Sequence, residues 1–186
     1  SDDIYNEWDK DIVSAQDHFV GGDVTAEEAL AIADKLNNAD LIDIPKVDGV
    51  YQLSTAKHLI IFAGVVNMGM NTSDAVLADD IDMTDCEWNE PIGFWGDKGI
   101  GYKGHFDGQN HIISNFNVSS TQNFYGLFGV LSTNAIVENF SIYGEMDNAA
   151  NQQYMGVIGY ARDENVTIRD IHSYMDFANA REGGRQ

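Results

Sequence analysis

The apolar positions of the first part of the chain recur at helical spacing. In IYNEWDKDIVSAQDHF, Ile4, Trp8, Ile12 and Val13 fall on one face, and Ala15 extends the stripe. Thr25-Ala-Glu-Glu28 then reads as a capping box. The Thr25 hydroxyl can accept from a free amide of the first turn while Glu28 reaches back. Ala29, Leu30, Ala33 and Leu36 carry that helix on, and Asn37-Asn38 is a plausible stop. The pattern predicts an α-helical N-terminal region over residues 1–47, closed off by Pro45 and Gly49.

Tyr51-Gln-Leu53 is a short strand candidate. Ser54 should open a further helix that buries Leu59, Phe62, Ala63 and Val66 and ends near Asn67-Met-Gly69. From Ala75 the texture changes to short β-branched and apolar runs separated by Asn, Asp, Gly and Ser, which is strand-turn-strand sequence. Four stretches within it line up: ADDIDM from 78, ISNFNV from 113, VENFSI from 137 and IRDIHS from 168. Each places an Asx residue (Asp80, Asn115, Asn139, Asp170) just before an apolar one. The steps between these Asx positions are 35, 24 and 31 residues. Such a unit cannot bury its apolar face alone, and stacking on its neighbours gives one continuous core. The Asx residues are expected at corners, because a short polar side chain bonds local backbone and tolerates bent conformations. YGLFG and MGVIG add a second echo: Gly126 and Gly129 match Gly156 and Gly159, as tight turns of the coil. The expected core is Ile81, Met83, Ile113, Phe116, Val118, Leu127, Phe128, Val137, Phe140, Ile142, Ile158 and Ile168.

These phrases resemble the GLUG-motif family of bacterial surface proteins, which repeats a G-hydrophobic-hydrophobic-G strand followed by a strand with a central Asn. YQLSTAKHLIIFAGVVN resembles the family's lead-in helix, VLADDIDM its first rung, and EWNEPIGFWGDKGIGYKGHFDGQNHIISNFNV its entry segment. The likeness covers residues 48–177; VIG replaces LFG in the second glycine phrase, and Ser173 breaks the last apolar column. The resemblance implies a mainly β fold, a right-handed parallel β-helix over 48–186, preceded by the helical region. It also implies an exported, adhesin-like module of the bacterial cell surface.

Charge narrows the partners. The 186 residues carry 30 acidic and 10 basic side chains, a net charge of −20. Nucleic acid and anionic membrane surfaces are disfavoured, because both are held by Lys and Arg. The acidity serves solubility or cation binding. Cys86 is the one cysteine, which excludes an intrachain disulfide. No apolar run is long enough to span a bilayer. The acidic start lacks a signal peptide's basic and apolar regions, so a signal would have been removed or left out of this sequence. Residues 178–186 are short and polar, which suggests a β-rich end left open by truncation or covered by end-on pairing with another copy.

Candidate chemistry is sparse. Asp17 to Glu28 resembles a calcium loop, but Phe19 and Gly21 stand where oxygen ligands are needed. Asp79, Asp80, Asp82, Asp85 and Glu87 form the densest acidic patch, a candidate calcium site set against a plain solvated edge. Phe106-Asp107-Gly108 suggests a catalytic aspartate or, as the simpler alternative, a turn. The five histidines lack metal-ligand spacing. Trp88, Phe94, Trp95 and Tyr102 crowd one loop-like insertion, where their rings would stack on sugars or cap the core. The expectation is a noncatalytic module for adhesion, glycan contact or spacing. The alternatives are a fragment of a polysaccharide-degrading enzyme and an assembly piece docking by its end.

Overall fold

Among the described residues the first element is a hairpin closed by an Asp-Gly turn. Asp48 and Gly49 take φ of 50° and 81°, the pair of left-handed conformations that closes a tight hairpin. They join β1 (Lys46–Val47) antiparallel to β2 (Val50–Leu53). In this computed structural model the described residues are 42–96, 99–119, 124–147 and 154–178. The expected N-terminal helices, the Thr25 capping box and the calcium-like loop lie outside them. The hairpin itself bridges the position where composition suggested a boundary.

Helix α1 (Ala56–Asn67) follows, with Thr55 as its N-cap: the Thr55 hydroxyl accepts the His58 amide at 3.1 Å. Ser54, the expected opener, instead bonds the His58 ring, its amide donating to Nδ1. The helix buries Leu59, Phe62, Ala63 and Val66 as its spacing requires, and Ile61 and Val65 besides. Phe62 meets Tyr51 at 5.8 Å, Tyr102 at 6.0 Å and Phe106 at 6.2 Å between ring centroids, which ties the helix to the strands.

The strands that follow are β3 (Ala75–Leu77), β4 (Ile81–Asp82), β5 (His105–Ser119), β6 (Phe128–Leu131), β7 (Ile136–Asp147), β8 (Ile158–Ala161) and β9 (Thr167–Ala178). One sheet has the order β1-β2-β3-β5-β7-β9, with β4 pairing β5 off that path. Every pairing in it except β1–β2 is parallel. A second sheet is the parallel pair β6–β8. One hydrophobic cluster takes in α1 and residues of both sheets. Complete burial of side chains such as Phe62, Phe106 and Phe140 contributes on the order of 1.5–3 kcal/mol each.

The expected right-handed parallel β-helix is therefore corrected to a mainly β fold with, among the described residues, one helix, a mixed sheet and a small second sheet. The reason lies in the Asx residues. Asn115, Asn139 and Asp170 do adopt left-handed φ of 53°, 61° and 53°. They stand inside β5, β7 and β9, however, so they bend long strands instead of forming corners between short ones.

The register needs correction as well. VENFSI and IRDIHS do pair as aligned, Val137 with Ile168 and Phe140 with Ile171. The partner of Val137 in β5 is Phe106, not Ile113, and Ile113 pairs Ile142 and Ile81. Strand β5 carries extra residues between Asp107 and His111 and between Ile113 and Phe116, so its offset to β7 falls from 31 residues at Phe106 to 28 at Phe116, whereas matching Asn115 to Asn139 sets an offset of 24. Gln109 and Asn110, at φ of 49° and 63°, take up part of that excess.

Ten of the twelve expected core residues are buried. Ile158 is partly exposed and Ile168 is 46 % exposed. Both belong to the outermost strand of their sheet, where no described strand covers them.

The glycine phrases stack in register: Phe128 pairs Ile158, so Gly126 stands against Gly156 and Gly129 against Gly159. Close approach, not a tight turn, is what requires Gly126, Gly129 and Gly159, since none of the four has positive φ and a Cβ on Gly156 alone meets nothing nearer than 3.3 Å. A Cβ on Gly126 would lie 1.9 Å from the Gly156 carbonyl oxygen, and one on Gly129 would lie 2.3 Å from that of Gly93. Gly93 extends the column upstream, as Ile92 bridges Phe128.

Candidate functional site

Beside the glycine column the chain gathers four aromatic rings. Phe124 and Tyr154 each precede the first glycine of their phrase by two residues, and Tyr160 follows Gly159 in β8. The parallel pairing of Tyr125 with Met155 sets Phe124 and Tyr154 one above the other. Their rings stack at 4.7 Å and 9°. Trp95 lies 4.6 Å from Phe124 on a tilted plane. Tyr160 meets Phe124 at 5.0 Å and Trp95 edge-on at 5.5 Å. Phe124 holds a left-handed φ of 56°, a costly conformation for a bulky side chain that persists only where its surroundings impose it. Trp95 remains 49 % exposed and Tyr154 46 %.

A second group is polar. Asp107, Glu138 and Arg169 form one column across β5, β7 and β9, each paired with the next. Like charges directly opposite repel, and here the Arg169 guanidinium bonds the Glu138 carboxylate at Oε2. His105 Nε2 donates to Glu138 Oε1 at 2.6 Å. Glu138 is almost wholly buried. The bonds from Arg169, then from His105, hold its carboxyl below the usual glutamate value. Asp107 Oδ1 accepts from Asn139 Nδ2 at 3.0 Å and from the Gln109 amide at 2.9 Å. The ligand atoms of His105, Asp107 and Glu138 all lie within 4.8 Å of one another, a spacing from which a metal ion could be held.

The acidic patch predicted from sequence is laid out differently. Asp80 Oδ1 accepts from the Ile112 amide at 2.9 Å and from His111 Nδ1 at 3.0 Å, and these bonds keep its carboxyl below the ordinary aspartate value. Asp82 Oδ1 takes the Thr84 amide and hydroxyl and Asn115 Nδ2, which lower it too. Both carboxylates thus tie β4 and its following turn to β5. Asp79 Oδ1 accepts the Asp80 amide, while Asp85 and Glu87 are exposed.

The four expected ring residues divide. Trp88 is buried, its indole N–H donating to the Gly126 carbonyl at 2.9 Å. Tyr102 is fully buried, its hydroxyl bonded to the Ser73 carbonyl, and burial raises its pKa. Phe94 is partly buried. Trp95 is the one that joins the exposed rings. Phe124, Tyr154 and Tyr160 were not anticipated. Extending the repeated glycine phrase two residues upstream, to FYGLFG and YMGVIG, would have shown the recurring aromatic position.

No family model matches the chain, and no solved structure does either. Over 102 residues it is 33 % identical to a protein of Evansella cellulosilytica described as "Putative Gly-rich membrane protein". The match takes in 51 % of this chain and 11 % of that protein, so the chain corresponds to a small part of its relative. Among the described residues no helix is long and apolar enough to cross a membrane.

Proposed function

We propose that this chain is a noncatalytic carbohydrate-contact module of a bacterial cell-surface or secreted protein, and that the rings of Trp95, Phe124, Tyr154 and Tyr160 make the contact. The observation that carries the reading is an aromatic stack built on a strained Phe124 whose two flanking rings stay about half exposed. Rings of this kind offer apolar faces to sugar C–H groups, and tyrosine and tryptophan keep a polar edge for hydroxyls. A net charge of −20 disfavours uronate-rich or sulfated polymers and favours neutral glycans. The likeness to GLUG-motif surface proteins supports the same location, as does a relative that is much longer and described as a membrane protein.

An enzymatic role on polysaccharide is less well supported. Asp107 and Glu138 are near neighbours, but a glycosidase needs one carboxyl of the pair raised in pKa to act as an acid. Arg169 and His105 push Glu138 the other way.

The test is affinity electrophoresis through gels containing neutral polysaccharides, run alongside uronate polymers. Retardation by at least one neutral polymer is expected, weakened about tenfold in Trp95→Ala, a change of about 1.4 kcal/mol. Tyr174→Ala, at an exposed ring outside the cluster, should behave as the unaltered chain. No retardation on any neutral polymer, or equal retardation of Trp95→Ala, overturns the reading.

A further inference from the structure

Apart from the aromatic rings, the polar column on the long strands carries an inference of its own. We propose that His105, Asp107 and Glu138 bind a divalent transition-metal ion, and that Arg169 competes with that ion for Glu138.

The donor set points to the class of metal. One imidazole nitrogen with two carboxylates suits zinc and its neighbours, whereas calcium and magnesium take oxygen ligands in larger number. Two strands of the main sheet supply the ligands: β5 gives His105 and Asp107, and the in-register pairing of Asp107 with Glu138 brings in β7. Ligand atoms around such an ion sit roughly 3.5 Å apart, given bonds of about 2.0–2.2 Å. The present limit of 4.8 Å therefore requires a closing shift of about 1 Å. The His105–Glu138 pair moves the other way: at 2.6 Å it must open by about 1 Å and give up its hydrogen bond, and the His105 side chain, 43 % exposed, has room to do so. Asn139 and the Gln109 amide hold Asp107 from behind through Oδ1, as outer partners orient metal-binding carboxylates.

Arg169 is the competitor of that ion. Two carboxylates facing each other across a strand pair need a positive partner, and the guanidinium from β9 provides it on Glu138. That side chain is 59 % exposed, so it can swing into solvent when a dication takes over. The exchange replaces one positive charge by two against two carboxylates. The ion then neutralises the ligand set, which a single arginine does not.

The arrangement makes opposite demands on neighbouring residues, and the experiment uses them. Tag-free full chain is titrated with Co2+, read by its visible absorption, and with Zn2+ in equilibrium dialysis; Ca2+ is the comparison ion. One equivalent of Co2+ and of Zn2+ should bind. His105→Ala and Asp107→Asn should each weaken binding at least tenfold. Arg169→Gln should tighten it about tenfold by removing the competing cation. His111→Ala, which alters the imidazole on Asp80, should leave it unchanged. Far-UV circular dichroism confirms that each variant is folded, and the gain in Arg169→Gln stands even if His105→Ala proves unstable. Unchanged binding in His105→Ala overturns the proposal. So does weaker binding in Arg169→Gln, or Ca2+ binding the same place as tightly as Zn2+.

Discussion

Two glycines that the sequence writes alike should respond in opposite ways to one methyl group. A Cβ on Gly126 would sit 1.9 Å from the Gly156 carbonyl oxygen, where ordinary contact begins at 3.4 Å. The two backbones must therefore part by about 1.5 Å, the difference of those distances. Three hydrogen bonds hold them together there: Tyr125 N–H to Tyr154 at 3.0 Å, Gly156 N–H to Tyr125 at 3.2 Å and Phe128 N–H to Val157 at 3.0 Å. A shift of that size stretches all three beyond bonding range. At about 1 kcal/mol each the loss is about 3 kcal/mol. The stiffer alanine backbone returns about 0.4–1 kcal/mol through the unfolded chain. Gly126→Ala should therefore cost about 2–3 kcal/mol. On Gly156 the same methyl meets nothing nearer than the Ile158 carbonyl oxygen at 3.3 Å, so Gly156→Ala should stay within about 0.5 kcal/mol of the unaltered chain. Urea unfolding of both variants, followed by far-UV circular dichroism, measures the difference. Equal losses, or a loss under about 1 kcal/mol for Gly126→Ala, would refute the close-approach account of the repeated phrase.

Phe140→Ala removes a fully buried ring that lies 5.8 Å from Phe106, and should cost about 3–5 kcal/mol in the same unfolding experiment. The depressed carboxyl of Glu138 predicts acid sensitivity: its contribution is present above the ordinary value of 4.5 and is lost as pH falls through the lowered folded-state value. Glu138→Gln should accordingly lose stability at pH 7 and show a flatter decline across the acid range, measured by thermal melts from pH 7 downward.

Local signals were legible and registration was not. The stripe of α1 and the apolar positions of β7 stand out because each depends on near neighbours in sequence. The left-handed Asx residues were legible as bends for the same reason, although whether a bend ends a strand depends on what pairs beside it. The partner of Val137 depends on an offset of 31 residues to Phe106, and nothing local to ISNFNV reveals it. ISNFNV also fits the pattern well by itself, so the ungapped match looked complete. At the site, Trp88 and Trp95 have the same local character. One is buried through a bond to Gly126, 38 residues away, and the other is left beside Phe124. The column of Asp107, Glu138 and Arg169 was invisible for the related reason that residues about thirty positions apart meet only once the register is known.

The main sheet runs in chain order, β1-β2-β3-β5-β7-β9, and this bears on how the protein is made. Each strand of that path pairs with the one that emerged before it, so a ribosome or an export channel delivers every new strand to a waiting edge. Assembly can keep pace with delivery at roughly 5–20 residues per second. A nascent chain released as far as Asp147 already contains both partners of every pairing up to β5–β7. The long-range contacts that would slow refolding of a whole chain are then met one at a time, and the growing edge of the sheet is always the newest strand.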